Sequence, residues 1–280
     1  MARVARGIAA GLLVLGLTGC QDTPRQQPPF ERKVNVGMAP SSPGWSELDS
    51  AGRRHGFDYD VTDWLAGELD LEPNISNTLA FERESKLRQG DVQIVVASYS
   101  ITDKRREVVG FAGPYAQTYQ GFMIRRDERD AYRRLADLKG KAVCVTRGST
   151  SAIQLREAFA WPVTVVERDT YDECMELLLA ADPIVDVVST DQLLLFGYAA
   201  KHPRTFVPQQ LVFGEQQRYG IGLPKGDAAK CRIVTDKLRH LMSDGTWLAF
   251  FREHFPGYDP TPYKPSALDP CPDPPPTAIG

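Results

Sequence analysis

Short apolar runs rich in β-branched residues alternate along most of this chain with stretches whose apolar positions recur at helical spacing. The pattern predicts strands over residues 33–38, 92–97, 120–125, 141–145, 163–167 and 184–189. Between them it predicts helices over 58–69, 102–109, 150–159, 171–180 and 192–200. Such alternation implies α/β architecture, with parallel sheets clad by helices and ligands gathering at the carboxyl ends of strands. The stretch 228–255 differs: two helices, over 229–242 and 246–255, meet at Ser243-Asp244-Gly245. There Gly245 is expected as a left-handed cap of the first helix and Thr246 as the N-cap of the second.

The two ends carry other information. Arg3 and Arg6 precede the apolar run Gly7 to Leu17, which is followed by Thr18-Gly19-Cys20, the order of a secretory signal. The run is shorter than the roughly 20 residues a spanning helix needs. Leu17-Thr18-Gly19-Cys20 resembles the lipobox of bacterial lipoproteins, which implies cleavage after residue 19 and lipidation of Cys20 by diacylglyceryl and an amide-linked, palmitate-type chain. More than one acyl chain gives a stable anchor, so the expected location is the outer face of the cell membrane, exported and lipid-anchored. Residues 20–32 read as a polar, proline-rich tether and 259–280 as a proline-rich tail.

Charge excludes one class of partner. The formal charge is −3, and loss of Arg3 and Arg6 with the leader makes the remainder more acidic still, so nothing invites nucleic acid. Besides Cys20 there are Cys144, Cys174, Cys231 and Cys271, in none of the Cys-x-x-Cys spacings of zinc or redox sites. Outside the cell disulfides are the expected use of these four, and three pairings are possible. No metal ligand set and no cofactor motif is evident.

Three loops concentrate donors and acceptors at predicted strand ends. Ser98-Tyr99-Ser100-Ile101-Thr102-Asp103-Lys104-Arg105 follows the first buried-type strand. Its hydroxyls and Arg105 suit a carboxylate, although Thr102 as a simple cap and Arg105 as a solvated residue fit the spacing equally. Arg147-Gly148-Ser149-Thr150-Ser151 also leaves a strand and opens a helix, with Gly148 permitting close backbone approach. Asp191 ends an apolar strand, where it can accept an ammonium group or cap the next helix. An anion grip opposed by an acid is what a zwitterion requires when it leaves water, because each buried charge needs a partner.

These elements, with Leu87-Arg88-Gln89-Gly90-Asp91-Val92, Phe111-Ala112-Gly113-Pro114-Tyr115, Asp137-Leu138-Lys139-Gly140-Lys141, Val185-Asp186 and Asp244-Gly245-Thr246, stand in an order that resembles extracellular solute-binding protein family 3. That family comprises the polar amino-acid binding proteins of ABC importers. The resemblance runs over about residues 34–254 and implies a periplasmic-binding-protein type II fold, two α/β lobes joined by a two-segment hinge. Lobe 1 is then 33–116 and 216–258, and lobe 2 is 117–215. The resemblance further implies that Arg105 clamps the ligand α-carboxylate with Ser98, Ser100, Ser149 and Thr150, and that Asp191 takes the α-ammonium. Gly56-Phe57-Asp58-Tyr59-Asp60 corresponds to a scaffold element. On this lobe scheme the expected disulfides are Cys144–Cys174 and Cys231–Cys271.

Val96-Ala97-Ser98-Tyr99-Ser100-Ile101-Thr102, Ala142-Val143-Cys144 and Tyr171-Asp172-Glu173-Cys174 are similar to a glutamate-type branch of Gram-positive bacteria. In acidic-amino-acid binders an arginine fifteen residues ahead of the first serine of Ser-x-Ser reaches the distal carboxylate, and Arg83 stands at that distance from Ser98. The sequence departs from the family in its first loop, Ala39 to Trp45, where Trp45 holds the aromatic position and is expected to wall the site, a place in the core being the other reading. Arg147 is the candidate second cation. The implied role is a monomeric, non-enzymatic binding protein that carries glutamate, aspartate or their amides to an ABC permease. Alternatives on the same fold are a sensory lipoprotein that signals to a membrane kinase and a cyclohexadienyl-dehydratase-like enzyme. His55, His202, His240 and His254 lie outside the matched elements, as a binding role implies.

Overall fold

The computed structural model describes residues 29–159 and 162–272. The leader, Cys20 and most of the tether lie outside the described residues, as does the end of the tail. Among the described residues no helix is long and apolar enough to cross a membrane.

The first half begins with β1 (Lys33–Met38), a small hairpin of β2 (Glu47–Leu48) and β3 (Arg54–His55), α1 (Phe57–Leu69), β4 (Glu72–Asn77), α2 (Arg83–Gln89), β5 (Ile94–Val95) and α3 (Asp103–Arg106). A long strand, β6 (Gly110–Arg125), leads into β7 (Ala142–Thr146), α4 (Ser151–Ala158), β8 (Thr164–Arg168), α5 (Tyr171–Leu179), β9 (Val187–Asp191), α6 (Gln192–Lys201) and β10 (Thr205–Phe206). The chain returns along β11 (Phe213–Leu223) and ends in α7 (Ala228–Ser243) and α8 (Thr246–His254).

The sheet runs β4-β1-β5-β11-β6-β9-β7-β8, with β10 paired to β6. On one side β4, β1 and β5 are parallel; on the other β8, β7 and β9 are parallel. Between them stand the antiparallel partners β6 and β11, the two strands that pass from one half to the other. The crossings expected at residues 116–117 and 215–216 fall within these strands. Both parallel sets therefore direct their carboxyl ends at the gap between the halves, where α/β sheets hold ligands.

Apolar alternation disclosed only residues 120–125 of β6 and none of β11. β6 buries Thr118 and Gln120, and β11 buries Gln217, so polar side chains occupy positions where a hydrophobic pattern would announce a strand. β4 was missed for the opposite reason: Glu-Pro-Asn-Ile-Ser-Asn is a half-exposed edge with little apolar content. Gly245 is left-handed as expected, at φ 94°. Thr246 is not the N-cap; it is the first helical residue, and its N–H donates to Asp244 Oδ1 at 2.8 Å.

Aromatic residues fill the core of the first half, where Trp45, Phe57, Tyr115, Tyr219, Trp247 and Phe255 are all essentially inaccessible. In the second half Phe122, Phe159 and Phe213 pack with Val143, Val145 and Leu155. Both expected disulfides are present: Cys144–Cys174 ties β7 to α5, and Cys231–Cys271 ties α7 to the tail.

Candidate functional site

Six parallel strands end at one cleft, and residues at or within a few positions of each end line it: Ala39 to Ser42 after β1, Thr78 after β4, Ala97 and Ser98 after β5, Ser149 and Thr150 after β7, Thr170 and Tyr171 after β8, and Asp191 closing β9. Of the residues expected from sequence, Arg83, Ser98, Ser100, Arg105, Ser149, Thr150 and Asp191 come together here.

The buried run from Val92 to Ala97 ends in a sharp reversal at Ser98, whose φ is +44°. That left-handed conformation is costly for a residue with a Cβ. It is held by the fully buried Asp58, whose Oδ2 accepts the Ser98 N–H at 2.8 Å and the Ser98 hydroxyl at 3.0 Å. The following residues are stitched to β11: Gly220 N–H donates to Tyr99 O, and Ile101 N–H to Arg218 O. Thr102 then caps α3, its hydroxyl accepting the Arg105 N–H at 3.1 Å. Capping and cleft placement hold together here, because the Arg105 side chain is buried rather than solvated.

Arg105 donates through Nε to Glu84 at 3.0 Å, through Nη1 to Ser100 O at 2.7 Å, and through Nη2 across the cleft to Gly148 O at 2.8 Å. A guanidinium has five N–H groups, so two are left without a partner among the described residues. Arg83, the first residue of α2, donates to Ala80 O, Ala97 O and, at 3.4 Å, to Gly148 O. It makes no ion pair among the described residues. Both guanidiniums lie against the Tyr99 ring, at 4.4 Å for Arg83 and 4.9 Å for Arg105. Burial, and then the neighbouring charge of Arg83, lower Arg105 to about 10, so it stays a cation at neutral pH.

Facing them from the second half is Asp191. It occupies the N-cap position of α6 without capping it, so its carboxylate is free for other work. Gln120 and Tyr219 hold that carboxylate from the two crossing strands, with the Tyr219 hydroxyl at 2.6 Å. Burial pushes Asp191 up to about 6 against the opposing effects of Tyr219, Arg105 and Arg83.

Of the hydroxyls contributed by the second half, Ser149 donates to Thr146 O at 2.7 Å and Thr150 to Gln217 Oε1 at 2.8 Å. Gly148 has φ +76°, and a Cβ there would stand 2.5 Å from Cα of Phe81, so the approach of the two halves at this point depends on glycine.

Two expectations are corrected. Trp45 does not wall the cleft: it is fully buried, with its ring against Phe57, Tyr219 and Phe255 and its indole N–H donated to Leu193 O. Arg147 is outside the cleft as well. The turn at Gly148 sends it outward to pair with Asp169 and to lie over the Phe81 ring at 4.4 Å. Sequence reasoning missed Thr78, Thr170 and Tyr171, which the strand-end rule would have found had β4 been recognised and β8 followed to its last residue.

Comparison with known proteins gives this cleft a family. Residues 34–257 match the model of the bacterial extracellular solute-binding proteins, family 3. The chain belongs to that family. This family-3 protein is 31% identical to the glutamate-binding protein GluB of Corynebacterium glutamicum over 233 residues, covering 79% of this chain and 78% of the relative. It is 26% identical to the ABC transporter glutamine-binding protein GlnH of Bacillus subtilis over 208 residues, covering 73% and 74%. Among solved structures, an ancestral arginine-binding protein bound to glutamine superposes with a TM-score of 0.73 at 27% identity, covering 81% of this chain and 99% of that one. The family-3 protein thus has the α/β fold of periplasmic binding proteins, and its named relatives are binding proteins rather than enzymes.

Proposed function

We propose that this protein captures a polar or acidic amino acid, glutamate, aspartate or one of their amides, between two lobes and presents it to the permease of an ABC importer. The observation that carries the reading is the opposition of two buried, unlike charges across one cleft: Arg105 with two uncommitted N–H groups, and Asp191 with a carboxylate not used as a cap. A free amino acid carries the complementary pair, and each buried charge must find a partner. The names of the relatives, glutamate- and glutamine-binding, support the ligand class.

In this reading lobe 1 is 33–116 with 216–258, lobe 2 is 117–215, and β6 and β11 are the hinge. Lobe 1 supplies Ser98, Ser100, Arg105 and Arg83, and lobe 2 supplies Ser149, Thr150 and Asp191. Neither lobe alone satisfies both ends of a zwitterion, so the ligand favours closure by its differential affinity. The protein is held at the outer membrane face by lipid on Cys20, which metabolic fatty-acid labelling of wild type against Cys20→Ala tests.

A calorimetric screen of the twenty amino acids decides the ligand class. Tight binding confined to acids, their amides or both is expected. Heat only with basic or aromatic amino acids, or with none, overturns the assignment.

A further inference from the structure

The chain does not stop at α8. Residues 256–271 form a strap that runs back over the molecule, and neither the cleft nor the family likeness gives it a task.

On one side the strap holds α6, the helix that begins directly after Asp191. Tyr258 stacks on Phe196 of α6 with ring centroids 3.7 Å apart. The buried Tyr263 donates its hydroxyl to Gln192 Oε1 at 2.9 Å, and its ring also packs against Phe196 and Phe251. In the middle the strap crosses the two long strands, where Gln117 Nε2 donates to Pro262 O and Arg218 reaches Asp269; Gln117 and Arg218 are register partners in β6 and β11.

On the other side it is fixed firmly. Asp269 accepts both Nη groups of Arg218, at 2.9 and 2.5 Å, and Arg106 of α3 at 2.5 Å, while its N–H donates to Gly113 O at 2.7 Å. Cys271 then closes the disulfide to Cys231 of α7.

The attachments differ in kind. Those to the first half are covalent and charge-paired, whereas those to α6 are one neutral hydrogen bond and two aromatic contacts. The strap thus bridges α6 and the first half across the two strands that pass between the halves among the described residues, in addition to the direct contacts that α6 makes through Leu193 O with Trp45 and through Lys201 with Glu47. We infer that the strap ties the Asp191-bearing helix to the first half, with Tyr263 as the positioning residue, and so raises the population of the closed arrangement and slows ligand release. When binding requires a fractionally populated state, the apparent dissociation constant is the intrinsic one divided by that fraction.

The inference rests on the two-lobe reading above, and its test separates the two. Tyr263→Phe deletes one hydroxyl and keeps the ring. Tyr258→Ala combined with Tyr263→Phe also removes the stack on Phe196. Ligand-free small-angle scattering on the full mature chain should show a larger radius of gyration in the double variant than in wild type. Stopped-flow release of L-glutamate and L-glutamine should quicken about 2- to 12-fold in Tyr263→Phe, the worth of one neutral hydrogen bond, and more in the double variant. Association should stay within about threefold.

An unchanged radius together with unchanged release rates in a folded double variant would overturn the strap's role, as would a loss confined to thermal stability. The scattering comparison needs no ligand. If wild type bound neither amino acid, release would be followed with L-aspartate and L-asparagine; if it bound none of the four, the ligand reading would fall while the radius still judged the strap.

Discussion

Asp58 holds Ser98 in a left-handed turn: one carboxylate oxygen accepts both the backbone N–H and the hydroxyl of a residue forty positions away. The other oxygen accepts the Tyr115 hydroxyl at 2.6 Å. The scaffold motif around residue 58 therefore sets the conformation of the first cleft loop without facing the cleft. Burial pushes Asp58 up to about 6 against three donated hydrogen bonds, the mark of a carboxylate kept in the interior for what it positions.

Replacing Asp58 by alanine should therefore damage two properties at once. It strands the Tyr115 hydroxyl and the Ser98 N–H without acceptors in the core, at about 1–3 kcal/mol each. It also releases the loop that presents Ser98 and Ser100. Chemical denaturation should show a loss of roughly 2–5 kcal/mol, with weakened amino-acid binding at temperatures where the variant is folded. Full stability with full affinity would remove Asp58 from the support of the cleft.

Arg105→Ala should abolish measurable binding of every amino acid, because all share the α-carboxylate. Removing one partner of a buried, hydrogen-bonded charge pair costs about 2–5 kcal/mol, which is roughly thirtyfold to several thousandfold in affinity. Arg105→Lys should recover little of it: an ammonium cannot serve Glu84, Ser100 O, Gly148 O and a ligand together in the planar fork that Arg105 uses. Calorimetry on both variants checks this, and wild-type affinity in either would take Arg105 out of the clamp.

The parts of this molecule that were legible in the sequence are those where local pattern and tertiary environment agree. From β7 to α6 the strands carry β-branched runs, α4 and α5 bury one face, and α6 is an apolar run buried on all sides, so each element shows and boundaries fall within a few residues. Arg105 and Asp191 were singled out because strand-to-helix connections carry them and the family resemblance matches them; spacing alone fitted a solvated Arg105 and a capping Asp191 equally. Trp45 and Arg147 were misplaced for a common reason. Position in a loop says nothing about which way a side chain leaves it: the rings of Phe57, Tyr219 and Phe255 draw Trp45 inward, and the turn at Gly148 points Arg147 to Asp169. The Asp58–Ser98 contact links elements forty residues apart, and no spacing rule spans that distance.

pH should move stability and affinity in opposite directions. Asp58 and Asp191 are both pushed up to about 6 by burial, from an ordinary 3.8. A carboxyl whose folded pKa exceeds its unfolded one contributes stability that is complete below the unfolded value and is lost as pH rises through the folded value. The ligand-free protein should thus lose stability between about pH 4 and pH 6 through these two groups. If the proposed ligand's ammonium meets the ionised Asp191, affinity should be about tenfold weaker at pH 5 than at pH 7. No histidine lines the cleft among the described residues, and Arg105, lowered only to about 10, stays charged throughout. Titrations at the two pH values check the affinity, and Asp191→Asn should flatten the dependence of whatever binding it retains. An affinity flat from pH 5 to 7 in wild type would deny Asp191 the ammonium.

On the proposed function, selectivity between acid and amide should fall to Arg83. Its guanidinium is buried at the cleft, bonded to carbonyl oxygens of Ala80, Ala97 and Gly148, and it has no ion-pair partner among the described residues, whereas Arg105 already has Glu84. Three of its five N–H groups are used, so a ligand oxygen can take the others. A carboxylate there forms a charge-assisted bond that a neutral amide cannot equal, so glutamate or aspartate should bind more tightly than its amide. Arg83→Gln should erase most of that preference while amide affinity changes only a few-fold, because the groups that meet the α-carboxylate and ammonium are untouched. Measuring acid and amide on wild type and variant closes a cycle that isolates the distal contact from general damage. A wild type that prefers the amide, or a variant that keeps the acid preference, would leave Arg83 as a brace between Ala97 and Gly148. The counter-charge of Glu84 beside Arg105 would then be the next place to look for what sets the ligand's charge.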